Sequence, residues 1–172
     1  MILRHLFQPR ALPERKLYEA IVAAARHPVP YASWGVADTL DGRFDMIAMH
    51  AFLVIDRLKG ADQGLRQRLV DEVFADMDRS LREMGVGDLS VGKKVRKMAE
   101  VFYGRIAAYE AALAGGGAAL EAVLARNVFP DGAAEDGVAK LAAYFREAHA
   151  TLAGSAPVHL LGGRVQFPEP RP

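Results

Sequence analysis

Residues 85–109 read GVGDLSVGKKVRKMAEVFYGRIAAY, and this stretch decides the fold. Gly85 and Gly87 predict the end of one helix and a tight connection, and Asp88 and Ser90 can cap the helix that follows. Apolar residues then recur every three or four positions, as the inward face of an amphipathic helix requires: Val95, Met98, Ala99, Phe102, Ile106, Tyr109 and Leu113. The stretch therefore predicts a helix over about 91–114, ended by three consecutive glycines.

The same periodicity predicts five more helices, at about 13–26, 44–59, 62–84, 118–127 and 133–152. The helix at 44–59 is apolar on nearly all sides, so we expect it to be the central helix. Residues 31–43 are rich in turn formers and predict an ordered loop anchored by Trp34. The fold class that follows is all-α, a single compact domain of about six helices.

The chain divides into a short N-terminal segment at 1–12, a helical domain at 13–154 and a tail at 155–172. The tail is rich in proline and glycine, so we expect it to be mobile unless something docks it. A length of 172 residues with 51% hydrophobic residues suits one domain with one core.

The composition limits the partners and the compartment. Lys and Arg total 22 and Asp and Glu total 21, so a net charge of +1 gives no global attraction to DNA or to an anionic membrane. There is no cysteine and no apolar run of the roughly 20 residues that cross a bilayer. The N-terminus lacks the pattern of a signal peptide. We expect a cytoplasmic protein with at most peripheral membrane contact.

Sequence motifs for catalysis are absent. The five histidines are dispersed and none forms a Glu-x-x-His pair, no serine lies in a nucleophile motif, and no phosphate-binding loop follows a strand. We therefore expect a protein that binds rather than catalyses, with no metal and no cofactor.

Arg43, His50 and Arg57 are spaced by seven residues and form the polar seam of the central helix. Two ordinary interpretations are open: the seam faces water, or His50 is hydrogen-bonded inside the core. A third is a ligand-binding role for His50.

Lys93, Lys94, Arg96 and Lys97, called here the basic patch, crowd the first turns of their helix. The helix dipole disfavours cations there by about 0.3–1 kcal/mol each. Either Asp88 and the acidic face of the preceding helix neutralise the patch, or an anionic partner does. An acidic protein surface, RNA and lipid headgroups all remain candidates.

Several ordered pieces of the chain resemble the ubiquinol-cytochrome c chaperone family. They are DTLDGRFD at 38–45, Arg57-Leu58, FADMDRSLREMGVGD at 74–88, VGKKVRKMA at 91–99 and FYGR at 102–105. The resemblance implies an all-helical assembly factor for the cytochrome bc1 complex. It further implies a bacterial-type member that binds newly made cytochrome b or an assembly intermediate, with a small partner chaperone or the ribosome as further contacts.

On this resemblance, two segments carry over as interaction surface. The first is the turn formed by Asp41, Gly42, Arg43 and Phe44; the second comprises Gly85, Gly87, Asp88, Lys93, Lys94, Arg96, Lys97 and Arg105. A client groove suits methionine, whose flexible thioether adapts to varied surfaces. Five methionines line such a groove or are plain core: Met46, Met49, Met77, Met84 and Met98. An RNA- or ribosome-binding module that uses the same basic patch is the alternative function.

Overall fold

Eight helices and no strand account for the regular structure of the residues described by the computed structural model, which are 12–115, 117–134 and 136–172. The helices are α1 (Pro13–Ala25), α2 (Pro28–Ser33), α3 (Leu40–Arg57), α4 (Gln63–Glu83), α5 (Asp88–Gly115), α6 (Gly117–Val128), α7 (Gly137–Gly154) and α8 (Pro157–Leu161). The all-α fold class is confirmed. The six predicted helices correspond to α1, α3, α4, α5, α6 and α7, and the two short helices α2 and α8 were not predicted. The predicted N-terminal segment lies, apart from Leu12, outside the described residues.

Helix α3 is the central element, as its apolar pattern predicts. Phe52, Leu53 and Leu58 are at most 1% exposed, and α1, α5, α6 and α7 all pack against this helix. It begins at Leu40, four residues earlier than predicted, because the Thr39 hydroxyl accepts a hydrogen bond from the Gly42 amide at 3.2 Å. A side-chain oxygen in that position satisfies one of the free amides of a helix start.

The connection from α4 to α5 is the tight turn predicted from its glycines. Gly85 has a φ of +82°, a backbone conformation that favours glycine. Its amide donates to the Arg82 carbonyl at 2.9 Å, and the Val86 amide donates to the Leu81 carbonyl at 3.0 Å. These two bonds end α4 in a Schellman motif and turn the chain into α5.

Helix α2 corrects part of the predicted loop at 31–43, because residues 31–33 are helical. Pro28 and Pro30 lie in the first turn of this short helix. Proline is tolerated there because its missing amide would be unbonded in any case. The His27 ring accepts a hydrogen bond from the Val29 amide at 3.3 Å and caps this turn.

The tail at 155–172 packs against the helical domain. The sequence predicted a mobile tail unless something docks it, and the structure shows a docked tail. Leu160 of α8 is 2% exposed. The Phe167 ring lies edge-on to the His50 imidazole with the ring centres 5.0 Å apart. The Trp34 indole N–H donates to the Arg171 carbonyl at 2.9 Å. Trp34 and Phe167 are 133 residues apart, so no local pattern could reveal their shared docking site.

Candidate partner-binding site

An apolar groove of about 310 Å³ lies between α3, α4 and the start of α5. Its apolar lining consists of Leu40, Phe44, Ile47, Met77, Leu81, Met84 and Met98. Leu40 is 53% exposed and Met84 is 54% exposed. Two half-exposed apolar side chains on one groove leave a surface that another apolar group can cover.

The five methionines divide between the groove and the core. Met77, Met84 and Met98 line the groove. Met46 and Met49 are 0% exposed and pack within the central cluster on α3. Met77 belongs to both sets, since it lines the groove and is only 6% exposed within the core cluster. Three flexible thioethers around one opening suit a ligand surface that varies.

The rim of the groove carries both charges. The Arg43 guanidinium is paired with Asp38 at 2.7 Å, and Arg26 has no ion-pair partner among the described residues. On the α4 side, Asp76 accepts hydrogen bonds from the Tyr18 hydroxyl and from Arg79, each at 2.7 Å. Burial is the main cause of the raised pKa of the Tyr18 phenol, which stays protonated and donates.

Gly42 is a structural residue within the predicted interaction turn. It is buried, and a Cβ built there would meet the Ala37 carbonyl oxygen at 2.0 Å. Only glycine therefore allows α3 to start against this loop. Arg43 and Phe44 line the groove, whereas Asp41 is exposed beside it.

All four residues of the basic patch are exposed, and none forms an ion pair with an acidic side chain in the described part of the chain. Asp88 pairs with Arg82. Asp76 and Asp78 pair with Arg79 and Arg82 on their own helix. These three carboxylates are thus engaged with arginines and not with the basic patch.

The basic patch splits between two faces of α5. Helix geometry of about 100° per residue places Lys94 within about 40° of Met98, on the groove side. Lys93, Arg96 and Lys97 share the opposite side with Leu89, which lies about 180° from Met98. The four cations of the basic patch therefore do not all lie on one side of α5.

Arg105, predicted as an interaction residue, is only 25% exposed and forms contacts within the fold. Its guanidinium donates to Asp45 at 2.8 Å and to the Asn127 side-chain oxygen at 3.1 Å. Asp45 and Asn127 are 5% and 4% exposed. Burial raises the pKa of the Asp45 carboxyl, and Arg105 opposes that shift. Arg105 ties α5 to α3 and α6.

The expected polar seam on α3 is not one surface either. His50 is 0% exposed; its Nδ1 lies 2.7 Å from the Met46 carbonyl and its Nε2 lies 2.9 Å from the Tyr144 hydroxyl. The carbonyl can only accept, so Nδ1 donates and Nε2 accepts from tyrosine. Burial lowers the His50 pKa to about 4. The interpretation of a hydrogen-bonded core histidine is therefore confirmed.

The other two residues of the seam have separate roles. Arg57 donates to the carbonyls of Leu152 and Ser155, each at 2.9 Å, and so satisfies backbone acceptors at the end of α7. Arg43 belongs to the groove rim. The sequence predicted neither Leu40 nor Arg26 as part of this site. In the sequence each is an isolated residue beside a turn, so no pattern marks it.

No helix in the described residues is both long and apolar enough to serve as a membrane span. Across the same residues, no three His, Asp or Glu side chains converge as metal ligands would.

Residues 32–167 match the family model described as ubiquinol-cytochrome C chaperone. The chain is also similar to the protein solved as the "Crystal structure of the Cbp3 homolog from Brucella abortus". The two share 40% identity over 91% of this chain and 89% of that one, with a TM-score of 0.81. No curated protein matches the chain in sequence. A family match over most of its length and a fold shared with this homolog show that the chain belongs to the ubiquinol-cytochrome c chaperone family.

Proposed function

We propose that this protein is a non-enzymatic assembly chaperone for the cytochrome bc1 complex. It holds an apolar segment of newly made cytochrome b, or of an assembly intermediate, in the groove between α3, α4 and α5. It acts in the cytoplasm or at the inner face of the cytoplasmic membrane. The observation that carries the proposal is the groove itself, with three methionines on its walls and half-exposed Leu40 and Met84 at its mouth.

The shape and chemistry of the groove suit a helical client segment. Helices bind in grooves by inserting apolar side chains spaced three and four residues apart. Leu40 is the first residue of α3 and Met84 directly follows the end of α4, so both walls contribute apolar contact. Lys94 and Arg43 stand near the groove and can hold a polar or acidic flank of the segment, which would fix its register.

The groove is tested by the double variant L40D/M84D. Both side chains are more than half exposed, so the fold remains, while two carboxylates at the mouth disfavour an apolar client. We expect capture of cytochrome b from membranes solubilised in mild detergent to fall at least tenfold. The matched control is L12D/V158D, which changes two side chains that are 62% and 61% exposed outside the groove.

Normal cytochrome b capture by L40D/M84D would remove the groove from the proposal. The function itself is tested by deleting the gene and measuring assembled, active bc1 complex in the membrane. We expect a loss of the complex that the wild-type gene and L12D/V158D restore and that L40D/M84D does not. Normal levels of active bc1 complex in the deletion strain would contradict the proposed chaperone function.

The salt dependence of binding separates the chaperone from an RNA- or ribosome-binding module that uses the basic patch. Neutralised phosphates release counterions, so RNA affinity falls steeply as salt rises. An apolar client in a groove stays bound over the same range. Capture that disappears between about 50 and 200 mM salt, where phosphate contacts weaken most, would favour the RNA alternative.

A further inference from the structure

The side of α5 that faces away from the groove combines cations with an exposed leucine. We call Leu89, Lys93, Arg96 and Lys97 the outer face of α5. Successive members are four, three and one residues apart, so the four side chains fall within an arc of about 100°. Leu89 is 102% exposed, the most exposed large hydrophobic side chain among the described residues.

No acidic side chain in the described part of the chain forms an ion pair with Lys93, Arg96 or Lys97, and the neighbouring Asp88 is engaged by Arg82. The exposed Glu100 lies on the same side of α5, so three cations and one carboxylate share this side and a net positive charge remains. Helix α5 begins at Asp88, so Lys93, Arg96 and Lys97 lie in its second and third turns, beyond the first turn where the helix dipole acts. The net positive charge of this side itself favours a negatively charged partner.

The exposed leucine distinguishes among anionic partners. RNA would neutralise the cations through its phosphates and leave Leu89 in water, because a phosphate backbone offers no apolar contact. An anionic bilayer accommodates both the cations and the leucine. Its headgroups attract Lys and Arg, and an apolar side chain can enter the boundary between headgroups and acyl chains. The long stems of lysine and arginine lie across the same boundary.

We propose that the outer face of α5 is a docking surface for an anionic phospholipid bilayer. Leu89 inserts at the headgroup level, and Lys93, Arg96 and Lys97 contact the lipid phosphates. Met98 lies about 180° around the helix from Leu89, so the surface can engage lipid while the groove holds a client. This docking goes beyond the chaperone proposal and does not depend on which segment the groove binds.

Vesicle flotation tests the docking surface with the full chain. The probes are vesicles of equal parts phosphatidylglycerol and phosphatidylcholine, and vesicles of phosphatidylcholine alone. We expect binding to the first and at least tenfold weaker binding to the second. The triple variant K93E/R96E/K97E should bind the anionic vesicles at least tenfold more weakly, and L89S should bind severalfold more weakly with its cations intact.

The control R15E/R66E/R164E makes the same change in net charge at three arginines outside α5 and should bind as the wild type does. The proposal is overturned if the control loses as much binding as K93E/R96E/K97E, because net charge alone would then explain the effect. It is also overturned if the wild type does not bind anionic vesicles, or if L89S binds unchanged. Tighter binding of the outer face to homopolymeric RNA than to the vesicles would assign it to nucleic acid instead.

The vesicle assay separates this proposal from the chaperone proposal. L40D/M84D should float with anionic vesicles as the wild type does, because its substitutions lie in the groove. K93E/R96E/K97E should still capture cytochrome b in detergent extract, where no bilayer is present. Failure of one activity therefore leaves the other measurable.

Discussion

Arg105 shows how a single residue of the family-like motif contributes to the fold. Its guanidinium is the charged partner of Asp45, whose side chain is 8% exposed, and it also holds the Asn127 side chain and carbonyl. Replacing Arg105 by alanine leaves the buried Asp45 carboxylate without its charged partner. We expect R105A to lower the free energy of unfolding by about 2–4 kcal/mol in urea titrations.

An exposed ion pair provides the control for Arg105. Arg15 and Glu19 form a pair whose side chains are 66% and 61% exposed, and such pairs are worth at most about 1 kcal/mol. R15A should therefore change the unfolding midpoint little. If R105A were as mild as R15A, the Asp45 carboxylate would not depend on this partner.

His50 makes the stability of the domain dependent on pH. Its pKa is lowered to about 4 by burial, from an ordinary value of 6.5. Above 6.5 neither state binds the proton; as the pH falls towards 4, the unfolded chain binds it and the folded chain does not. The free energy of unfolding should fall over this window by up to about 3 kcal/mol from this group.

Urea titrations at pH 7.0, 6.0 and 5.0 measure this effect. In H50Q the contribution of His50 disappears, so the loss of stability over that range should be smaller than in the wild type. The control is H159Q, which makes the same substitution at an exposed histidine. Equal slopes for the wild type and H50Q would show that His50 is protonated as readily when folded as when unfolded.

At the scale of elements, the docked tail can be followed through Trp34, the only tryptophan in the chain. Removing residues 165–172 deletes the Phe167 ring beside His50 and the carbonyl that accepts the indole N–H. We expect the Trp34 emission to shift to longer wavelength as water reaches the ring. F167A, which keeps the acceptor, should lower stability with a smaller shift.

R171A is the matched control for the tail. Its side chain is 84% exposed and forms only an exposed ion pair with Glu147 at 3.7 Å, whereas the hydrogen bond to Trp34 uses the backbone carbonyl, so the emission should change little. An unshifted spectrum for the shortened chain would mean that the tail does not cover Trp34 in solution.

Helices were predictable from the sequence wherever apolar residues recur on one side, as in α4 and α5. Helix α2 was not, because prolines that end one helix also start another, and the choice depends on what the next turn packs against. The groove was predictable in part: its methionines stood out by type, but only packing separated Met77, Met84 and Met98 from Met46 and Met49.

Helix geometry alone divides the basic patch between two faces of α5. Only the structure shows which of these faces is on the side of the groove. Lys94 and Lys93 are neighbours in sequence, and the fold places them towards different surroundings. The pairing of Arg105 with Asp45 and Asn127 joins residues 60 and 22 positions apart. No local pattern marks such a contact, so the sequence could not predict these partners of Arg105.

At the scale of the whole molecule, the folded domain is longer than the region matched by the family model, because it includes α1. The match covers residues 32–167, whereas α1 precedes it and packs against both α3 and α4. Leu17 and Ile21 of α1 are 0% exposed. An expression fragment cut at the borders of the match would expose the face of the central helix that α1 covers. Such a fragment should aggregate, and recombinant work on relatives should take its limits from the packing of α1 rather than from the alignment.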